Sequence, residues 1–332
     1  MTSRVYQKSR KVRRFLAGSS PSEDPVFPRI NIAYERARWI VQFYYLASAY
    51  VAYEICPEIF ALREQSEAWE LLWPVRWIGW LGTGLWPDVV PVACVVASLV
   101  AFQFPTKVLP RCLVAVLSIL VVALTNSQGA MGHAYYYWAW IGVCFAFLPT
   151  TPAVATREFR MTYLSVIVAT QMLILFFYSL AGLWKTRHGL VVLLNGGEGN
   201  FSPRGLALQL ADRMLATGTK PLLADLAITY YWISGPAFLG IIYFQFTAVL
   251  AALRPRLHLL WAYVLISFHL GTWLLMNIYF PHHILFVGLL FGMSPFLPMK
   301  WSFKAVVADM PGMGIVRFVA QLTRGQPVQQ PA

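Results

Sequence analysis

Residues 162–184 read TYLSVIVATQMLILFFYSLAGLW and contain no Asp, Glu, Lys or Arg. A helix needs about 20 mostly apolar residues to cross the hydrocarbon core of a bilayer, and this stretch is long enough. Further apolar runs of similar character lie on both sides of it, at 38–56, 86–104, 108–126, 133–149, 224–250, 258–278 and 283–299. The sequence therefore predicts an all-α, polytopic integral membrane protein with about eight transmembrane helices.

The composition agrees with this fold class. The chain is 58% hydrophobic and 12% charged, whereas soluble domains carry about 25% charged residues. Helices that face lipid need apolar side chains on their outer sides as well as in the core. Tyr and Trp are abundant, and their rings suit the boundary between headgroups and hydrocarbon. An ordinary soluble domain is excluded.

The net charge of +12 has two explanations. Nucleic-acid binding is one, but the positions of the basic residues favour membrane topology, since cytoplasmic loops collect Lys and Arg. We therefore expect both termini in the cytoplasm of a bacterial cell, in a multi-pass inner-membrane protein with no nucleic-acid partner. Basic residues precede the first run and follow the second, fourth, sixth and eighth: Arg4, Lys8, Arg10, Lys11, Arg13, Arg14, Lys107, Arg111, Arg157, Arg160, Arg254, Arg256, Lys300 and Lys304.

We predict three regions along the chain. Residues 1–34 form a basic cytoplasmic segment without the apolar core of a signal peptide, residues 35–300 form the transmembrane domain, and residues 301–332 form a cytoplasmic amphipathic segment and tail. Short interfacial helices are expected where charged and aromatic residues mix, at 62–80, 203–216 and 313–323. The loop at 57–85 is acidic, with Glu58, Glu64, Glu67 and Glu70.

Polar and ionisable side chains within the apolar runs are the candidates for a functional site, because a bilayer makes them costly to keep. Lys185 ends the fifth run and His133 begins the fourth, so both belong to the outer half of the membrane. His269 lies near the middle of the seventh run, and Asn277 follows two turns later. The other candidates are Tyr136, Tyr178, Gln171, Gln245, His282 and His283.

Each candidate also has a structural explanation. The Lys185 side chain can extend to the interface while its stem stays in lipid. His133 and the pair His282–His283 fit interfacial loops, and His269 fits an interhelical hydrogen bond, as do the glutamines. The Tyr135–Tyr137 run is typical of an aromatic belt. The four cysteines show no CxxC spacing and predict no metal site; they are interpreted as buried thiols, with a Cys56–Cys94 disulfide as the alternative.

Taken together, the candidates indicate chemistry on a lipid-soluble ring. A desolvated lysine at the end of an apolar helix can act as a base, and a histidine beside it can hydrogen-bond the same substrate group. Aromatic walls suit a flat apolar molecule such as a quinone. The hypothesis is proton abstraction from a hydroquinone hydroxyl by Lys185 with His133. The substrate pocket is expected to contain Tyr136, Tyr178, Gln245, His269 and Asn277.

Three short motifs in this order carry a family resemblance. They are Gly132-His133-Ala-Tyr135-Tyr136, then Tyr178-x-x-Ala181-Gly182-x-x-Lys185, then Ser267-Phe268-His269 followed by Asn277 and a Phe-rich stretch at 286–291. With them the chain resembles the horizontally transferred transmembrane (HTTM) domain proteins and the membrane domain of vitamin K-dependent gamma-carboxylase. The resemblance covers about 35–300 and implies the same all-helical membrane fold.

The resemblance also implies an activity. In the carboxylases, the lysine matching Lys185 deprotonates vitamin K hydroquinone, assisted by the histidine matching His133. The oxygenated product then removes a glutamate γ proton, and CO2 adds to the carbanion. Two departures are an acidic residue in the carboxylases where this chain has Gln245, and their large soluble substrate-binding domain, which is absent here. The alternative is a non-catalytic membrane subunit, or a factor that helps to mature a secreted peptide, with a membrane or secreted protein partner.

Overall fold

The computed structural model describes residues 30–63, 70–81, 84–127, 132–150 and 156–314. Every regular element in those ranges is helical, which confirms the all-α prediction. The predictions for the basic segment before residue 30, for Glu64 and Glu67, and for the amphipathic segment and tail from residue 315 lie outside the described residues.

The chain order of the helices is simple. The α-helices are α1 (Ile30–Arg63), α2 (Arg76–Leu81), α3 (Trp86–Gln103), α4 (Val108–Thr125), α5 (Tyr136–Ala146), α6 (Arg157–Leu194), α7 (Gly205–Thr217), α8 (Ala224–Thr229), α9 (Tyr231–Phe246), α10 (Ala248–Ala252), α11 (His258–Met276), α12 (Pro281–Val287) and α13 (Phe303–Asp309). Short 3₁₀ turns at Trp73–Val75 and Pro255–Leu257 precede α2 and α11, and a π-helical segment at Gly288–Gly292 continues α12.

Several of these helices can cross a membrane. Within the described residues, four are long and apolar enough: α3, α4, α6 and the continuous helical stretch Pro255–Met276. Less than half of the apolar window of each is buried inside the protein, so large side chains such as Val96 and Val116 point outward. An apolar outer surface of this kind is stable in lipid and costly in water. The chain is a membrane protein.

Successive helices run in opposite directions and pack side by side. Helix α1 packs against α3, α3 against α4, α4 against α5, and α5 against α6. Buried polar groups join the first three layers: the Ser48 and Ser98 hydroxyls lie 3.1 Å apart, and the Trp138 indole donates to the Ser48 hydroxyl at 2.6 Å. Burial of these groups inside the bundle is tolerated because each has a partner.

The antiparallel order gives the bundle two chemically different ends. At one end, which we call the basic end, the start of α1 meets the start of α6, where Arg160 donates a hydrogen bond to Asn31. At the opposite end, the end of α1 meets the start of α12, where His282 lies 2.9 Å from Glu54. Basic residues of the short loops therefore collect at one end, as the charge pattern predicts.

Three predicted runs have different bounds in the structure. The run predicted at 133–149 is helical only at Tyr136–Ala146. The run at 224–250 divides into α8, α9 and α10, and the Ser234 hydroxyl bridges the first break by donating to the Ala227 carbonyl. The run at 283–299 ends in the π segment before Pro295, because proline has no N–H to continue the helical pattern.

Helices α1 and α6 are longer than the predicted runs 38–56 and 162–184. Helix α6 has 38 residues, which at 1.5 Å per residue is about 57 Å and exceeds the thickness of the hydrocarbon core. The interfacial helix predicted at 203–216 is present as α7. Its Leu206 and Leu210 side chains form a small apolar cluster with Phe238 and Ile242 of α9.

A glycine sets the separation of α6 and α9. A Cβ atom on Gly182 would lie 2.6 Å from the Cα of Phe246 and 2.7 Å from the carbonyl carbon of Gln245. Both neighbours are backbone atoms, which cannot move aside as a flexible side chain can. Only glycine allows the two helices to approach so closely.

We predict that Gly182→Ala lowers the free energy of unfolding by at least about 1–3 kcal/mol, the usual cost of overpacking a well-packed contact. The measurement is the thermal midpoint of the purified protein in mild detergent. Gly271→Ala is the matched control, because a Cβ on that helical glycine meets no atom within 4 Å. An equal midpoint for the two variants would show that the α6–α9 contact is looser than described.

Candidate active site

Lys185 lies three residues beyond Gly182 on α6, where the close contact with α9 brings it to a buried amide. Its Nζ donates a hydrogen bond to Oε1 of Gln245 at 2.8 Å, and Gln245 is 1% exposed. The ammonium also lies 5.6 Å from the ring centre of Phe268 on α11. Within the described part of the chain, no carboxylate lies within 4.0 Å of Nζ. The partner of this cation is therefore a neutral group.

The loop after α6 folds back on the Lys185 segment. The Asn200 side chain is 4% exposed and donates from Nδ2 to the Lys185 carbonyl at 2.8 Å. Gln209 of α7 in turn donates to the Asn200 side-chain oxygen. Gly189 leaves room for this arrangement, since a Cβ there would lie 3.1 Å from the Cβ of Asn200. The loop, predicted only as a turn-forming stretch, thus positions the backbone that carries Lys185.

A second pair of polar groups joins α6 and α11 one helical stretch away. The Tyr178 hydroxyl and Nε2 of His269 lie 2.6 Å apart, and each residue is 3% exposed. Which atom donates depends on the histidine tautomer. The interhelical hydrogen bond expected for His269 is present, and its partner is a residue of the predicted pocket.

His283 joins this pair from α12. Its ring lies 5.0 Å from the His269 ring and is stacked between Tyr137, at 4.1 Å, and Phe280, at 5.0 Å. The aromatic rings cover both faces of His283, so only the edge of the imidazole is available for hydrogen bonds. Residues from α5, α6, α11 and α12 therefore meet at one buried cluster.

The two buried histidines keep unused hydrogen-bonding atoms. Nδ1 of His269 and Nδ1 of His283 are both buried, and neither has a hydrogen-bond partner within the described residues. A buried polar atom without a partner is costly and calls for an explanation. A bound polar molecule at this cluster would satisfy both atoms.

His133 reaches the cluster from the start of α5. It is exposed, its carbonyl accepts a hydrogen bond from Nε2 of His283 at 3.3 Å, and its ring lies 5.3 Å from the Phe280 ring. Both His133 and Lys185 are close enough to act electrostatically on His269. The structure therefore brings Lys185, His133, His269, Tyr178 and Gln245 to one region.

The other two predicted pocket residues are less closely involved. Tyr136 is half-buried and packs against the main core. Asn277 is exposed, and its backbone has a φ of 53°, in the left-handed region that ends α11. Asparagine is among the residues that tolerate this conformation, so Asn277 has a structural role as the residue that terminates the helix.

Sequence analysis gave too little weight to three members of the cluster. Tyr137 was interpreted as part of an aromatic belt, His283 as an interfacial loop residue, and Phe280 was not singled out. The available signal was the pairing of adjacent aromatic and histidine residues at two predicted helix starts. That signal does not show which of two neighbours faces inward: His283 enters the cluster, while His282 contacts Glu54 at the surface.

Gln171 belongs to a separate buried network. Its Nε2 donates to the Leu290 carbonyl at 2.6 Å, in the π segment, and to the Ser294 hydroxyl at 3.1 Å. Nδ1 of His258 lies 2.7 Å from the same hydroxyl. A π segment leaves carbonyl groups without their usual helical partners, and Gln171 occupies one of them. This network joins α6, α11 and the π segment.

No group of three or more His, Cys, Asp or Glu side chains in the described ranges is arranged to hold a metal ion. The four cysteines are free thiols. Comparison of the chain with family models, curated proteins and solved structures gives no match. The functional argument therefore starts from the geometry of the cluster.

We predict that Tyr178→Phe lowers the free energy of unfolding by about 1–3 kcal/mol, because it removes the hydroxyl that pairs with His269 and leaves a buried nitrogen without a partner. The measurement is the thermal midpoint in mild detergent. The control is Tyr263→Phe on α11, since that side chain is 64% exposed. If both variants unfold at the same temperature, the Tyr178–His269 hydrogen bond contributes no stability.

Proposed function

We propose that this protein is a membrane enzyme of the HTTM type, in which Lys185 removes a proton from the hydroxyl of a lipid-soluble hydroquinone. The observation that carries the proposal is the Lys185–Gln245 hydrogen bond. A lysine whose partner is a carboxylate is held as the ammonium ion by charge. A neutral amide gives no such charge stabilisation, so the lysine can exchange its proton with a substrate.

The surroundings of Lys185 suit an aromatic substrate with an ionisable oxygen. The Phe268 ring lies beside the amine, and the free edges of His269 and His283 offer hydrogen-bonding nitrogens in the same region. Because Tyr137 and Phe280 already cover the faces of His283, the substrate ring is proposed to lie on the Lys185 and Phe268 side. Its hydroxyl groups then meet polar atoms and its ring meets apolar ones.

The chemical step is a proton transfer. The neutral amine of Lys185 accepts the hydroxyl proton, so an O–H bond breaks and an N–H bond forms. The product is a quinolate anion beside an ammonium cation, and this pair is favoured where water is excluded. His133, exposed at the mouth of the cluster, is placed to carry the proton from Lys185 to water. Gln245 holds the amine in position without neutralising its charge.

We expect Lys185→Met to reduce turnover of a naphthohydroquinone by about 10²–10⁴-fold, the usual contribution of a general base. Oxidation of the added naphthohydroquinone is measured optically in detergent, and the thermal midpoint is recorded for each variant. Arg187→Met is the matched control, because that exposed cation lies two residues along the same helix and contacts only Trp184 among the described aromatic rings.

The opposite outcome favours the alternative function. If the wild-type protein does not act on the naphthohydroquinone, copurifies with a fixed protein partner, and retains that partner in Lys185→Met, it is a non-catalytic subunit or a maturation factor. Mass spectrometry of copurifying proteins and of extracted small molecules decides between the two. A bound quinone in a solitary protein supports the enzyme.

We further propose that the chain crosses a bacterial inner membrane about eight times, with both termini in the cytoplasm. Support comes from the antiparallel order of the helices and from the collection of short basic loops at one end. On this assignment the basic end faces the cytoplasm. The cluster of Lys185, His133 and His269 then lies in the outer half of the membrane.

The orientation predicts a pattern of chemical labelling. In intact cells, a membrane-impermeant maleimide should label Lys220→Cys and should not label Lys107→Cys, whereas both should react once the membrane is permeabilised. Both side chains are exposed. The parent chain is the control for its four native cysteines, which are buried or partly buried. The reverse pattern would place the basic end outside.

A further inference from the structure

Arg111, far from the Lys185 cluster, carries a charge that nothing in the described chain neutralises. It lies in the first turn of α4 at the basic end and is 1% exposed. Its Nε donates to the Lys107 carbonyl at 3.2 Å, and its Nη2 is buried without a hydrogen-bond partner among the described residues. No carboxylate in those residues lies within 4.0 Å of the guanidinium.

An arginine cannot relieve such a situation by losing its proton, since its guanidinium stays charged in proteins. A buried charge without a partner is strongly unfavourable, whereas a buried charge with a well-placed counter-ion is tolerated. The burial of Arg111 therefore points to an anion supplied from outside the described chain.

The groups around Arg111 also have free hydrogen-bonding capacity. Tyr45 is fully buried, and its hydroxyl has no partner within the described residues. Tyr45 and Tyr163 both interact electrostatically with Arg111. Tyr163 packs edge-on against Tyr34 at 5.2 Å. This tyrosine chain connects the buried guanidinium to the surface.

A cavity of about 160 Å³ lies where that chain reaches the surface. Tyr34, Arg38, Gln42, Thr106 and Tyr163 are among the residues that line it. Its one acidic residue, Glu35, is engaged by Arg38 at 3.1 Å.

A further arginine lies beside the cavity. The Arg160 guanidinium lies 5.8 Å from the ring centre of Tyr34, and its buried Nε has no partner in the described part of the chain. With Arg38, Arg111 and Arg160 set against Glu35, the region has an excess of positive charge.

We propose that this cavity binds the phosphate group of an anionic phospholipid from the leaflet at the basic end. A phosphate carries the negative charge and the acceptor oxygens that the arginines and tyrosines lack, and arginine matches its geometry. The lipid source is favoured over free phosphate because Trp39, which lines the cavity, is 59% exposed and stacks with the outward-facing Phe43. These rings give an acyl chain an apolar surface beside the headgroup.

The test compares the purified protein in nanodiscs of phosphatidylglycerol and of phosphatidylcholine. We expect a higher thermal midpoint in phosphatidylglycerol, and retention of phosphatidylglycerol in native mass spectrometry. Arg111→Met should fold in both lipids and lose the difference between them. Arg38→Gln, which alters the lining rather than the buried charge, should weaken the retention, and it keeps the proposal testable if Arg111→Met does not fold.

Two controls separate this site from general attraction to an anionic membrane and from free phosphate. Arg157→Gln removes an exposed charge at the same end and should keep the lipid difference. Inorganic phosphate added to the protein in phosphatidylcholine tests the other source: an equal rise in the midpoint assigns the site to free phosphate and overturns the lipid. The same midpoint in both lipids, or an undiminished difference in Arg111→Met, overturns the proposal.

Discussion

The close approach of α6 and α9 at Gly182 is the constraint on which the candidate site depends. Without a side chain at that position, the backbone of α9 can lie against α6, and Gln245 comes within hydrogen-bonding distance of Lys185 one turn further along. The same helix carries Tyr178, which meets His269 of α11. Because helices in lipid gain little from apolar association, close van der Waals contact and interhelical hydrogen bonds hold them together. The contact that stabilises the bundle therefore also assembles the cluster.

The two ends of the bundle treat charge differently. At the end with the candidate active site, a single lysine is paired with a neutral amide, and histidines keep free nitrogen atoms. At the basic end, a fully buried arginine has tyrosines and a carbonyl for neighbours. In both places the described chain leaves polar groups incompletely satisfied. Such groups are costly in a protein interior, which is why each is the natural starting point for a proposal about a bound molecule.

Much of the fold could be predicted from the sequence, because a bilayer imposes strong requirements on composition and length. The apolar runs at 86–104 and 108–126 correspond to α3 and α4 almost residue for residue. Agreement was poorer where a run contains residues that disturb a helix: the stretch at 224–250 is broken near Tyr230, and the last run stops in a π segment. Local hydrogen bonds and proline positions decide these endings, and hydropathy does not register them.

The candidate site shows the same division. The sequence by itself determined which side chains were costly to place in lipid, and so it singled out Lys185, His133, Tyr178, Gln245 and His269. Only the tertiary structure decided their partners: that Lys185 pairs with Gln245, that Tyr178 pairs with His269, and that Asn277 ends a helix instead of lining a pocket. It also revealed the buried charge of Arg111, which the sequence showed only as part of a basic loop. The reason is physical: the cost of burying a polar group depends on its residue type, whereas its partner depends on how the helices pack.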